Sequence, residues 1–80
     1  MIGGDGRMKS SDHTTPEMGR VIALARQARG LTLRQLGERL GVSAQAVHKW
    51  ERGVNYPDIT LIPMIARALE IPIQKLFEEQ

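Results

Sequence analysis

The chain contains no cysteine. Disulfides and thiolate metal sites are therefore excluded, and a reducing cytosol is the natural setting. Histidine is scarce too: His13 and His48 are too few and too far apart for a metal-site argument. Aromatic residues make up only 4% of the chain, so a core must be built mostly from Leu, Ile, Val, Ala and Met. No apolar run approaches the ~18 residues of a membrane span. The N-terminal stretch MIGGDGRMKSSDHTTP lacks the apolar segment of a secretion signal. These absences give the expectation of a cytoplasmic protein with no membrane partner. A strong excess of one charge is also missing, since 11 Lys and Arg stand against 9 Asp and Glu. The net charge of +2 is compatible with nucleic acid without demonstrating it.

Enzyme constellations are absent as well. There is no glycine-rich phosphate loop, no nucleophile with a base partner and no carboxylate pair beside a metal ligand. The expectation is a protein that is not an enzyme and needs no cofactor and no metal.

The 80 residues allow one domain, and a compact helical bundle can fold alone at this size. Strand patterns and repeats do not occur. Residues 1–16 hold GGDG, Pro16 and several Ser and Thr without an apolar period. They are expected to form a disordered tail, with the folded domain over 17–80. A first helix is expected from Pro16 or Glu17 to Ala28, capped by Thr15, with Val21, Ile22, Leu24, Ala25 and Ala28 as its apolar stripe. Gly30 ends it. Thr32 then caps a second helix over 33–40, and a third follows over 43–52. Gly53 and the loop VNYPD separate these from a fourth helix over 61–69, capped by Thr60. Starting there puts Pro63 in the first turn, where its missing amide has no intrahelical partner to lose. The buried stripe of that helix is Ile62, Ile65, Ala66 and Leu69. A short last helix opens at Pro72 and runs through Glu78, carrying Ile73, Leu76 and Phe77.

The stretch LRQLGERLGVSAQAVHKWE, residues 33–51, says most about function. Leu36, Leu40, Val47 and Trp50 are its apolar positions, with Val42 in the turn. Gly37 supplies a small residue for a close approach. Gly41 stands where a left-handed backbone must end the first of the two helices, and Ser43 can cap the second. This layout is a helix-turn-helix, whose second helix can lie in the major groove of DNA.

Five short helices with that motif at the second and third resemble the Cro/repressor-type helix-turn-helix family, also called the xenobiotic-response-element type. The carrying residues are GLTLRQLGERLGVSAQAVHKWERGVNYPDITLIPMIARALEIPIQKLF, and the likeness covers about Arg20 to Glu79. The chain is similar within the family to a subgroup with the strings QAVxKWE and YPDIxLxP. The resemblance implies an all-α, five-helix, lambda-repressor-like DNA-binding fold. Three positions depart from the pattern. Many members carry Gln where this chain has Leu33, which cannot make that residue's phosphate hydrogen bond. Ser is usual where His48 stands, and Ala is common at the position of Gly37.

A recognition helix reads bases with side chains near its N-terminus and along its exposed face. Ala44, Gln45, His48 and Lys49 face away from the Val47/Trp50 stripe and are the candidate base contacts. Gln45 can bond an adenine in bidentate fashion, and Ala44 can touch a thymine methyl. Lys49 and His48 can reach a guanine or a phosphate. Candidate phosphate contacts are Arg34, Ser43, Arg52, Asn55 and Tyr56, with Ser43 a cap first. Trp50 reads as a core anchor. Glu51 reads as structural, pairing with Arg20 or Arg26. The expected function is sequence-specific binding of double-stranded DNA by a transcriptional regulator, as a homodimer on a palindromic operator. The alternative is a protein-interaction module such as an antitoxin or a regulatory domain of a larger assembly.

Overall fold

The computed structural model describes residues 14–77, with side chains from Glu17 onward. Among these residues lie four α-helices: α1 (Thr14–Ala28), α2 (Leu33–Leu40), α3 (Ala44–Glu51) and α4 (Ile62–Leu69). Two 3-10 segments, Ile59–Leu61 and Ile73–Phe77, complete the order, and no strand occurs among the described residues. The core is Met18, Ile22, Leu36, Leu40, Val47, Trp50, Ile62, Ile65, Ala66, Leu69 and Leu76. Every α-helix contributes to it, so burial and not helix propensity holds these short helices.

α1 begins at Thr14, two residues before the expected start. Thr15 therefore lies in the first turn and is not the residue preceding it. The expected tail falls, for residues 1–13, outside the described residues. The apolar stripe of α1 also differs from expectation: Leu24 is 60% exposed and Ala28 is exposed, while Met18 is in the core. At 100° per residue, Leu24 stands roughly 200° from the fully buried Ile22, on the opposite side of the helix. Met18 and Ala25 flank Ile22 on the inner face.

α2 is stopped and started by its own sequence. The Gln35 amide donates to Thr32 Oγ1 at 3.0 Å, and the Thr32 amide donates to Gln35 Oε1 at 2.8 Å. This reciprocal capping box satisfies two orphan donors. Gly41 then takes φ 76°, and its amide and that of Val42 both return to the Gly37 carbonyl. The glycine adopts this left-handed conformation without steric cost.

Asp58, and not Thr60, is the cap ahead of α4: its Oδ1 accepts from the Thr60 amide at 3.1 Å and opens the 3-10 turn Ile59–Leu61. That turn runs directly into α4, where Pro63 is the second residue. The four expected stripe residues of α4 are all buried. The last element is a 3-10 helix and not a fifth α-helix. It runs for five residues behind Pro72, longer than the three or four at which such turns usually stop. Leu76 alone of its apolar residues is buried; Ile73 and Phe77 are exposed. The expected end at Glu78 lies outside the described residues.

Glu70 holds the chain reversal after α4 with φ 58°, and it is the one positive-φ residue other than glycine among those described. An L side chain in this region costs roughly 1–2 kcal/mol. Its ion pair with Arg29 at 3.1 Å is exposed and offsets little of that. Glu70→Gly is expected to raise the melting temperature by a few degrees. A thermal melt followed by circular dichroism checks this, and a fall in Tm would show that the ion pair outweighs the strain.

Candidate nucleic-acid interface

The turn between α2 and α3 fixes the direction in which α3 leaves. A Cβ on Gly37 would stand 2.6 Å from the Val42 carbonyl oxygen and 3.2 Å from the Ser43 carbonyl. The small residue therefore lets the turn fold back onto α2. Ser43 Oγ accepts from the Ala46 amide at 3.0 Å, capping α3 as expected. Val47 and Trp50 bury the inner face of α3.

The outer face carries the residues singled out from sequence. Gln45, His48 and Lys49 are exposed, and Ala44, the first helical residue, is half-buried. Gln45 is three residues from His48 and four from Lys49, so the three share one surface. Two of them are hydrogen-bonding groups and one is a fixed cation, which suits base edges and phosphates. Arg52, Asn55 and Tyr56 follow α3 and are all exposed. Ser43 is exposed at the start of the helix, its oxygen engaged as the cap. Arg34 is exposed on α2, with its Nε donating to Glu38 Oε2 at 3.3 Å. That pair spans one helical turn in solvent and holds Arg34 only weakly. Leu33 is partly buried against the core.

α1 anchors the far end of α3 at two places. Arg26 Nε donates to Glu51 Oε2 at 2.6 Å and its Nη2 donates to Oε1 at 3.1 Å. A third donor, Nη1, reaches the Leu31 carbonyl at 2.8 Å. The side chains are only 13% and 8% exposed, so this bidentate pair is strong and sensitive to loss of either partner. Of the two arginines expected as partners for Glu51, Arg26 is the one in place. The second anchor is Gly19, which sequence reasoning missed. A Cβ there would lie 2.4 Å from the Trp50 carbonyl oxygen and 2.7 Å from that of Glu51. α1 thus lies flush against the last turn of α3. The signal was available as a glycine inside a helical apolar run, where it usually has a packing reason.

No group of His, Asp or Glu capable of holding a metal ion occurs among the described residues. No helix among them is long and apolar enough to cross a membrane.

The sequence profile of the helix-turn-helix family matches residues 22–76, from the second half of α1 through Leu76. The chain belongs to the Cro/repressor-type helix-turn-helix family. This is a family of DNA-binding transcriptional regulators. A Rhodospirillum rubrum relative, an uncharacterised transcriptional regulator in the ATPase CF(0) region, is 34% identical over 67 residues, 84% of this chain and 62% of its own length. Among solved structures, the P22 c2 repressor bound to a synthetic operator is 28% identical with a TM-score of 0.73, over 76% of this chain and 92% of that one. PlcR of Bacillus thuringiensis, solved with the peptide PapR7 and DNA, is 35% identical with a TM-score of 0.72. It covers 79% of this chain and 22% of that one. The chain spans somewhat less than half the length of several curated relatives, at 45% and 42%.

Proposed function

We propose that the chain binds double-stranded DNA sequence-specifically by laying α3 in the major groove, and that it does so as a repressor. The observation that carries this reading is the exposed Gln45/His48/Lys49 surface on a helix whose opposite face is locked into the core. Ala44, Gln45, His48 and Lys49 contact base edges. Arg34, Ser43, Arg52, Asn55 and Tyr56 contact phosphates on either side. The likeness to an operator-bound phage repressor supports this assignment.

A single module of this size buries a modest DNA surface, so two-fold pairing on a palindromic operator supplies the missing affinity. Half-sites then stand roughly 34–36 Å apart, or a multiple of that. The reading is tested by electrophoretic shift against operator libraries at two salt concentrations. Saturable binding of one motif that resists competitor DNA is expected. Binding that competitor DNA abolishes at both salts would reduce the interaction to a general affinity for polyanions.

Arg52 gives a separate expectation. It caps the C-terminus of α3, is exposed, and makes no side-chain ion pair among the described residues. Arg52→Ala is expected to weaken binding to every DNA sequence alike and to lower the salt slope by about one unit. Titrations across a salt series measure that slope. An unchanged slope would remove Arg52 from the phosphate contacts.

A further inference from the structure

Three arginines are matched by acidic residues: Arg26 by Glu51, Arg29 by Glu70 and Arg34 by Glu38. Among the described residues Arg20, Arg39, Arg52 and Arg67 are not, and of these Arg39 and Arg67 lie on one groove. Neither makes an ion pair or a side-chain hydrogen bond among the described residues. Both are exposed, and both line one open groove of about 250 Å³ with Met64 and Ala68. Arg39 comes from the last turn of α2, and the other three come from α4. Met64 and Ala68 are four residues apart and share a face of α4. Met64 is 45% exposed, which leaves a thioether side chain in water in the same groove as the two arginines. None of the four residues belongs to α3 or to the loop behind it.

Each arginine stands in the last turn of a helix, where the negative end of the dipole favours a cation. That accounts for each charge singly. It does not account for an exposed methionine and a half-buried alanine lining one groove with two charges from different helices. A guanidinium presents a planar fork of donors that matches a carboxylate, and Arg and Met are both enriched at protein interfaces. The volume falls below the roughly 300–1,000 Å³ of cavities that enclose small molecules. It suits one or two side chains of a larger partner.

We propose that the groove between α2 and α4 docks an acidic segment of a partner protein. One carboxylate lies between Arg39 and Arg67, and a neighbouring aliphatic side chain rests on Met64 and Ala68. The charge of the groove selects the acidic partner, and its floor selects the aliphatic neighbour. The surface is separate from α3, so its occupation and DNA binding are measured independently.

The test is an NMR titration of the full chain with a short capped peptide of alternating Glu and Leu pairs at low salt. Its control is the same peptide with Lys in place of Glu. Saturable shifts are expected at the Met64 methyl and at the Arg39 and Arg67 side-chain N–H groups. Binding is expected to weaken at least about tenfold for the Lys peptide and for the Arg39→Gln/Arg67→Gln double variant. Met64→Glu, a single exposed change, is expected to abolish it through like-charge repulsion. Both variants are expected to keep the wild-type melting temperature and to bind mixed-sequence duplex DNA within about twofold of wild type. Absence of saturable shifts, or equal shifts with the Lys peptide, overturns the proposal. So does displacement of the Glu peptide from these groups by mixed-sequence duplex DNA, which would make the groove a phosphate surface.

Discussion

Trp50→Ala is expected to lower the melting temperature by more than about 12 °C. Trp50 is 5% exposed and packs in the core from the inner face of α3. Truncating a buried Trp costs roughly 3–5 kcal/mol, through lost transfer energy and the cavity left behind. The whole stability of a small domain is only about 5–15 kcal/mol. DNA binding is expected to fall with the folded fraction and for no other reason. Trp50→Phe separates the two effects, because it fills most of the space and keeps an aromatic ring. It is expected to stay folded and to retain sequence preference. A folded Trp50→Ala protein with wild-type Tm and no DNA binding would instead make Trp50 a DNA contact.

The second large effect is at Glu51. Glu51→Ala removes both carboxylate bonds from Arg26, whose side chain is 13% exposed in the intact pair. Breaking a buried pair by removing one partner costs roughly 3–5 kcal/mol, and solvent access here reduces that to about 2–4 kcal/mol. A melting temperature lower by more than about 10 °C is expected. Replacing both residues with leucine is expected to cost less than Glu51→Ala, since no buried charge is then orphaned. Urea titrations of the single and double variants measure this. A double leucine variant as unstable as the sum of Arg26→Leu and Glu51→Leu would show that the pair has no coupling. The consequence reaches function, because Glu51 is the last residue of α3. Its loss frees the end of the helix that is proposed to read DNA.

Much of this was legible in the sequence, and the reasons are local. Thr32, Gly41 and Ser43 fix the ends of α2 and α3 through side-chain caps and one left-handed backbone, and each acts within a few residues of itself. The period of Leu36, Leu40, Val47 and Trp50 is a pattern of burial that any helix must follow. The errors came where the answer depends on distant residues. Leu24 reads as core by hydrophobicity, but the register of α1 is set by Met18 and Ile22 against the rest of the bundle. Gly19 drew no notice in the sequence, because the carbonyls of Trp50 and Glu51 that require it lie some thirty residues away. The choice of Arg26 over Arg20 follows the same rule, since helix spacing permits either and only the packing of α1 on α3 selects one. At the ends of the last two helices, the difference between α and 3-10 geometry depends on a few hydrogen bonds that Pro63 and Pro72 perturb, and periodicity is blind to that. The face of α3 was read from spacing alone because helical geometry leaves Gln45, His48 and Lys49 no other side to occupy once Val47 and Trp50 are buried.

The reading of DNA by α3 is tested most directly by selecting bound duplexes from a random pool, with wild type and Gln45→Ala in parallel. Wild type is expected to enrich an inverted repeat with its half-sites about one helical turn apart. Gln45→Ala is expected to enrich the same repeat with one position in each half-site relaxed, at a cost of roughly 1–3 kcal/mol on the preferred sequence. An identical motif from both proteins, or no enriched motif from wild type, would contradict base reading by α3.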